Sequence, residues 1–146
     1  MQSKIKSAEV IHGFEYDWLA SDENGLVAFF STAGAGYAPA TFLRDVEAYT
    51  RAIDLMLSTP AFTTAKFSPV IAANCVNTWQ QMAERGFYAY DCDPNGGPYR
   101  LVAKPENPIC VSSLPPVVSA VCTALRLSLR FDDLSQIHPQ MIGNTE

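Results

Sequence analysis

Apolar and polar positions change period several times along the chain, and each change marks an element. From Glu9 to Phe14 and from Glu15 to Ala20, Val10, Ile11, Phe14, Tyr16 and Trp18 alternate in part with polar residues. That period of two predicts strands. Ser21-Asp22-Glu23-Asn24-Gly25 is turn chemistry, and Asn-Gly is a strong hairpin signal. Leu26–Thr32, with Val27, Phe29 and Phe30, is the returning strand. Ala33–Gly36 breaks it, and the period then lengthens. Phe42, Val46, Tyr49, Ile53, Met56 and Leu57 recur every three or four residues, predicting a helix over 41–58 with Thr41 as N-cap. Glu47 and Arg51 pair on its polar side, and it stops before Pro60.

Ser68-Pro69 opens a second predicted helix, over 69–85, because proline is tolerated in a first helical turn. Ala72, Cys75, Val76, Trp79, Met82 and Ala83 form its apolar stripe, and Gly86 closes it. Phe87–Asp91 and Tyr99–Ala103 read as strands on either side of the turn-rich segment Asp93–Pro98, and Ile109–Ser112 as a further short strand. A third helix is expected over 114–126, with Val117, Val118, Val121, Cys122 and Leu125 on its core face. Leu127–Phe131 reads as a last strand. Helices and strands are segregated rather than alternating. The expected fold is therefore α+β, a mainly antiparallel sheet with about three helices packed on one face.

Composition narrows the picture. A chain of 146 residues suits one domain over 1–146, with ends near 1–7 and 140–146 expected to fray. Apolar residues make up 48% and charged ones 17%, a balance that disfavours disorder. No apolar run approaches the roughly 20 residues of a membrane span. Lys4 and Lys6 precede no long apolar stretch, so a cytoplasmic, membrane-free location is expected. Cys75, Cys92, Cys110 and Cys122 include no Cys-x-x-Cys pair, so free thiols and no zinc are expected. Cys75 and Cys122 fall on apolar helix faces, whereas Cys92, between Asp91 and Asp93, is expected to be the exposed one. The net charge of −5 disfavours nucleic acid as a ligand and suits a basic protein partner.

Candidate chemistry is sparse. Ser31–Gly36 sits between a strand and a helix as a phosphate loop would, but it lacks the Gly-Lys-Ser/Thr ending. Pro39 also stands where a dinucleotide fingerprint needs glycine. No cofactor is expected. The histidines are His12 and His138, so a hydrolase reading needs His12 with Cys92 or a nearby carboxylate. Acidic pairs recur at Glu15/Asp17, Asp22/Glu23, Asp91/Asp93 and Asp132/Asp133. The first three flank predicted hairpins. This makes Glu15, Asp17, Asp22, Glu23, Asp91 and Asp93 a candidate partner-binding surface, with Tyr99 as apolar anchor. On that reading, reversing Asp22 and Glu23 together slows association and leaves the fold intact.

The stretch Tyr16–Gly34, together with Gly86–Asp91, Tyr99-Arg100-Leu101 and Pro105–Pro108, resembles small uncharacterised bacterial proteins of the polymorphic-toxin immunity type. The resemblance is loose, spans most of the chain and transfers no defined functional residue. It implies a non-enzymatic protein that neutralises a toxin by stoichiometric binding. A thiol titration under denaturing, non-reducing conditions should count four, and a count of two or zero would refute the free-thiol expectation.

Overall fold

The computed structural model describes residues 6–7, 13–67, 78–92 and 96–143. Most of the strand expected over 9–14 lies outside them, as do Ser68-Pro69, Ala72, Cys75 and Val76 of the second predicted helix, His12 and Asp93. The first hairpin forms where the pattern placed it, β1 (Asp17–Ser21) pairing antiparallel with β2 (Val27–Ser31). Gly25 turns the chain at φ +81°, a left-handed conformation that costs glycine nothing. After β2 come α1 (Ala40–Arg44), α2 (Val46–Ser58), β3 (Ala65–Phe67) and α3 (Thr78–Ala83). The strands β4 (Tyr88–Cys92) and β5 (Tyr99–Pro105) follow, then α4 (Pro116–Ala124), β6 (Gln136–Ile137) and α5 (Pro139–Gly143).

The sheet order is β1-β2-β4-β5-β3, with β6 sharing the outer edge of β5 with β3. Every pairing is antiparallel except β2–β4, which is parallel. A parallel neighbour needs a long crossover, and α1, α2, β3 and α3 supply it. The class is α+β with a mostly antiparallel sheet.

Alternation along the strands gives the two faces different partners. Leu19, Phe29 and Ala89 point to the helical side, where α2 and α4 pack on β1 and α3 packs on β4 and β5. The stripe Val46, Tyr49, Ile53 and Met56 of α2 is buried, as are Val118 and Cys122 of α4. Ala89 and Ala103 pair across β4 and β5, and these small side chains let Ala83 and Trp79 of α3 approach closely. The opposite face is aromatic. Trp18 stacks on Phe30 at 4.0 Å and Phe30 on Tyr90 at 5.2 Å, while Tyr99 stands edge-on to Trp18 and Phe30. Phe131, from the segment after α4, meets both Phe30 and Tyr90. Among the described residues no helix is long and apolar enough to cross a membrane.

Several local expectations are corrected. The helix expected over 41–58 divides at Asp45, whose φ of −154° is not helical and whose carboxylate caps α2 through the Ala48 amide. Thr41 lies inside α1 rather than at its cap. Ile109–Ser112 makes only an isolated bridge, Cys110 to Leu26, before a one-turn 3-10 helix. Leu127–Phe131 is not a strand either, because its backbone is committed to the first hairpin. Leu127 N donates to Ser21 O and Leu129 O accepts from Glu23 N. Towards the end of the chain, α5 buries Ile142 completely.

Asp22 fastens that last segment down. Its side chain is fully buried. Oδ1 accepts from the amides of Asn24 and Leu26, both at 2.9 Å, and Oδ2 from the Phe131 amide at 3.0 Å. The expectation that reversing Asp22 with Glu23 leaves the fold intact therefore fails, since a buried lysine would replace three accepted hydrogen bonds with an unpaired cation. Asp22→Ala should cost about 3 kcal/mol in urea-denaturation midpoint and slope analysis. A loss below about 1 kcal/mol would mean that the carboxylate does not hold the segment.

Candidate acidic cleft between the first strand and the long helix

Period-2 alternation puts Glu15, Asp17, Leu19 and Ser21 on one side of β1 and its lead-in. That side faces the helices, since Ser21 Oγ donates to Cys122 O of α4 at 2.9 Å. Opposite Asp17, α2 presents Thr50, Ile53 and Asp54, whose three- and four-residue spacing gathers them on one helical face. Together with Tyr16 these side chains line a cleft of about 280 Å3. Among the described residues, half of the lining side chains are carboxylates and none is basic.

Asp17 is the unusual member. Its Oδ1 is buried and accepts no hydrogen bond. Ser31 lies directly across the strand pair, and its hydroxyl donates to Glu15 Oε1 at 2.9 Å. Burial pushes the Asp17 carboxyl up to about 6; the Ser31 hydroxyl opposes the rise and the Glu15 charge reinforces it. The register then continues across the sheet, Asp17 opposite Ser31, Ser31 opposite Asp91, and Asp91 opposite Arg100. One polar row therefore crosses four strands on the helical side. A cleft of this kind suits a cation, with Tyr16 and Ile53 as apolar walls for the stem of a lysine or arginine. Phe14, 65% exposed, immediately precedes it.

The six carboxylates singled out in the sequence do not share one surface. Glu15 and Asp17 lie at one end of β1 and Asp22 and Glu23 at the other, roughly 16 Å away at about 3.3 Å per residue. Glu23 is exposed and pairs with Arg130 at 2.9 Å. Asp91 belongs to the polar row, and Asp93 lies outside the described residues. Tyr99 is not an exposed anchor: it is fully buried, donates to Tyr37 O at 2.8 Å and accepts from Trp18 Nε1 at 3.1 Å.

Cys92 is likewise corrected. It is 2% exposed because it shares the aromatic face with Tyr88 and Tyr90, and its thiol contacts Gly97 O. Among the described cysteines, Cys110 is the exposed one. His12, the proposed companion of Cys92, lies outside the described residues. Sequence reasoning missed Ser31 and Asp54. Ser31 is the one hydroxyl ending an otherwise apolar strand, and Asp54 borders the buried stripe beside Ile53, a signal visible only once β1 is known to face α2.

Among the described residues no group of three histidine, cysteine or acidic side chains is placed to hold a metal ion. Comparison with protein-family models, with curated proteins and with solved structures found no match to this chain.

The Asp17 carboxyl binds its proton more tightly folded than unfolded. Ionisation therefore opposes folding, and this group's share of stability is present below about pH 4 and lost as pH rises towards 6. Asp17→Asn should stabilise the protein by roughly 1–3 kcal/mol at pH 7.5 and have little effect at pH 4. Urea denaturation at the two pH values measures the difference. Equal stability of variant and wild type at pH 7.5 would contradict the burial argument.

Proposed function

We propose that the protein is a non-enzymatic binding protein that takes a basic protein partner, the cleft of Glu15, Asp17 and Asp54 receiving a lysine or arginine side chain. The observation that carries this reading is a cleft to which the described residues bring three carboxylates and no basic side chain, with one buried carboxylate oxygen that accepts no hydrogen bond from them. Burying a carboxylate is costly until a cation reaches it, so an incoming cation gains more here than on open surface. Phe14 supplies an exposed aromatic beside the acids, the role the sequence had suggested for Tyr99. The partner class implied by the resemblance is a basic toxin domain, neutralised by stoichiometric occlusion. The alternative, a hydrolase using His12 with Cys92 or a nearby carboxylate, draws less support because the Cys92 thiol is buried.

The test takes a candidate partner from the neighbouring gene and measures association at two salt concentrations. Glu15 and Asp54 are exposed, so their joint reversal to lysine should preserve the circular dichroism spectrum. It should slow association roughly tenfold at low salt and flatten the salt dependence. If His12→Ala or Cys92→Ser removes the biological effect while the double reversal leaves it untouched, the hydrolase reading replaces this one.

A further inference from the structure

The turn between β1 and β2 carries a reactive dipeptide at its tip. Asn24 is exposed, and Gly25 follows it. An asparagine side chain before glycine is open to attack by the glycine amide nitrogen, because no Cβ hinders the approach. The Gly25 nitrogen bonds to Asn24 Cγ, the Cγ–Nδ2 bond breaks, and ammonia leaves a five-membered succinimide. Water then opens the ring at either carbonyl. Opening at Cγ gives aspartate at position 24. Opening at the main-chain carbonyl gives isoaspartate, whose backbone runs through the former side chain. Nothing is oxidised or reduced, and water is the only co-reactant.

The folded turn withholds the attacking nitrogen. Gly25 N donates to Asp22 O at 3.1 Å, and Asp22 N donates to Leu26 O at 2.9 Å. The amides on either side of Gly25, those of Asn24 and Leu26, both converge on Asp22 Oδ1. Ring closure needs Gly25 N to leave Asp22 O and the peptide between positions 24 and 25 to rotate. These bonds resist both movements.

We propose that Asn24-Gly25 is a deamidation site gated by the Asp22 carboxylate, and that isoaspartate formed there unfastens the segment after α4. Isoaspartate adds one carbon to the chain between the amides of positions 24 and 26, so the two no longer converge on a single oxygen. Its new carboxylate is bonded to the Cα beside the nitrogen that lies 2.9 Å from Asp22 Oδ1. Two anions then meet where Asp22 is fully buried, and repulsion drives them apart. Asp22 Oδ2 holds the Phe131 amide, so the disturbance reaches the segment whose ring meets Phe30 and Tyr90. Aspartate at position 24 keeps the backbone length and carries its charge on an exposed side chain, so the turn survives it. Asn95-Gly96 repeats the dipeptide, but Asn95 lies outside the described residues. The site acts whether or not the acidic cleft receives a partner.

Peptide mapping by mass spectrometry, with isoaspartate and aspartate peptides separated by chromatography, reads the reaction at position 24. The free protein is aged at mildly alkaline pH, both folded and in guanidinium chloride. The folded wild type should deamidate there at least about tenfold more slowly than the unfolded chain. Asp22→Ala, checked as folded by circular dichroism, should deamidate about tenfold faster than folded wild type, the scale set by losing buried hydrogen bonds. The isoaspartate fraction purified from aged wild type should melt below the unmodified protein, whereas Asn24→Asp should melt with it. Equal folded and unfolded rates, a folded Asp22→Ala no faster than wild type, or an isoaspartate fraction that melts with the unmodified protein would each overturn the proposal. So would an Asn24→Asp variant that melts as low as the isoaspartate fraction. Should Asp22→Ala fail to fold, the folded and unfolded wild-type rates and the two melting comparisons still decide.

Discussion

The carboxylate of Asp22 accepts three backbone hydrogen bonds in a place from which water is excluded, and much of the molecule is arranged around that contact. Two of the donors belong to the turn between β1 and β2 and shape it. The third belongs to Phe131, whose ring closes over Phe30 and Tyr90. One short side chain thus sets the first hairpin and holds down the segment that covers its aromatic face. Around it, Ser21 exchanges backbone bonds with Leu125 and Leu127, and Glu23 meets Leu129 and Arg130. Three charge-assisted bonds made in one buried spot are worth more than the same bonds at the surface, where water competes for every partner.

The two ends of β1 treat a carboxylate in opposite ways. At the turn, Asp22 is surrounded by amides and its charge is satisfied. At the start, one oxygen of the half-buried Asp17 carboxylate is shut away from water beside Glu15 with no hydrogen bond, and the Ser31 hydroxyl donates to Glu15. The contrast separates a structural acid from a functional candidate better than exposure does, because Asp22 is the more deeply buried of the two. It also moves the centre of interest away from the hairpin tips and onto the seam between sheet and helix.

What the sequence made legible was local. The hairpin at Asn24-Gly25, the buried stripe of α2 and the strands β4 and β5 each declare themselves within a dozen residues, by period and by turn chemistry. The break at Asp45 was hidden because the apolar stripe runs through it without losing phase. The parallel pairing of β2 with β4 was hidden because nothing in either strand names its partner. β3 was too short to show a period. The burial of Cys92 and Tyr99 was partly readable, since Cys92 shares its alternation with Tyr88 and Tyr90, but the neighbouring acids pointed the other way. At the site, Glu15 and Asp17 were legible as a pair. Asp54 and Ser31 joined them only through the packing of α2 on β1.

The bond between Asp22 and Phe131 links positions 109 residues apart in the chain. During synthesis the first hairpin emerges long before the segment that completes it. Until Leu125, Leu127 and Phe131 arrive, the outer edge of β1 lacks its neighbour at Ser21, and the face carrying Trp18 and Phe30 has no cover. Closing so large a loop carries an entropic penalty that a local contact avoids, so this step belongs late in folding. A nascent chain halted in α4 would present an open strand edge and an uncovered aromatic face together, the pairing that most favours association between incomplete chains.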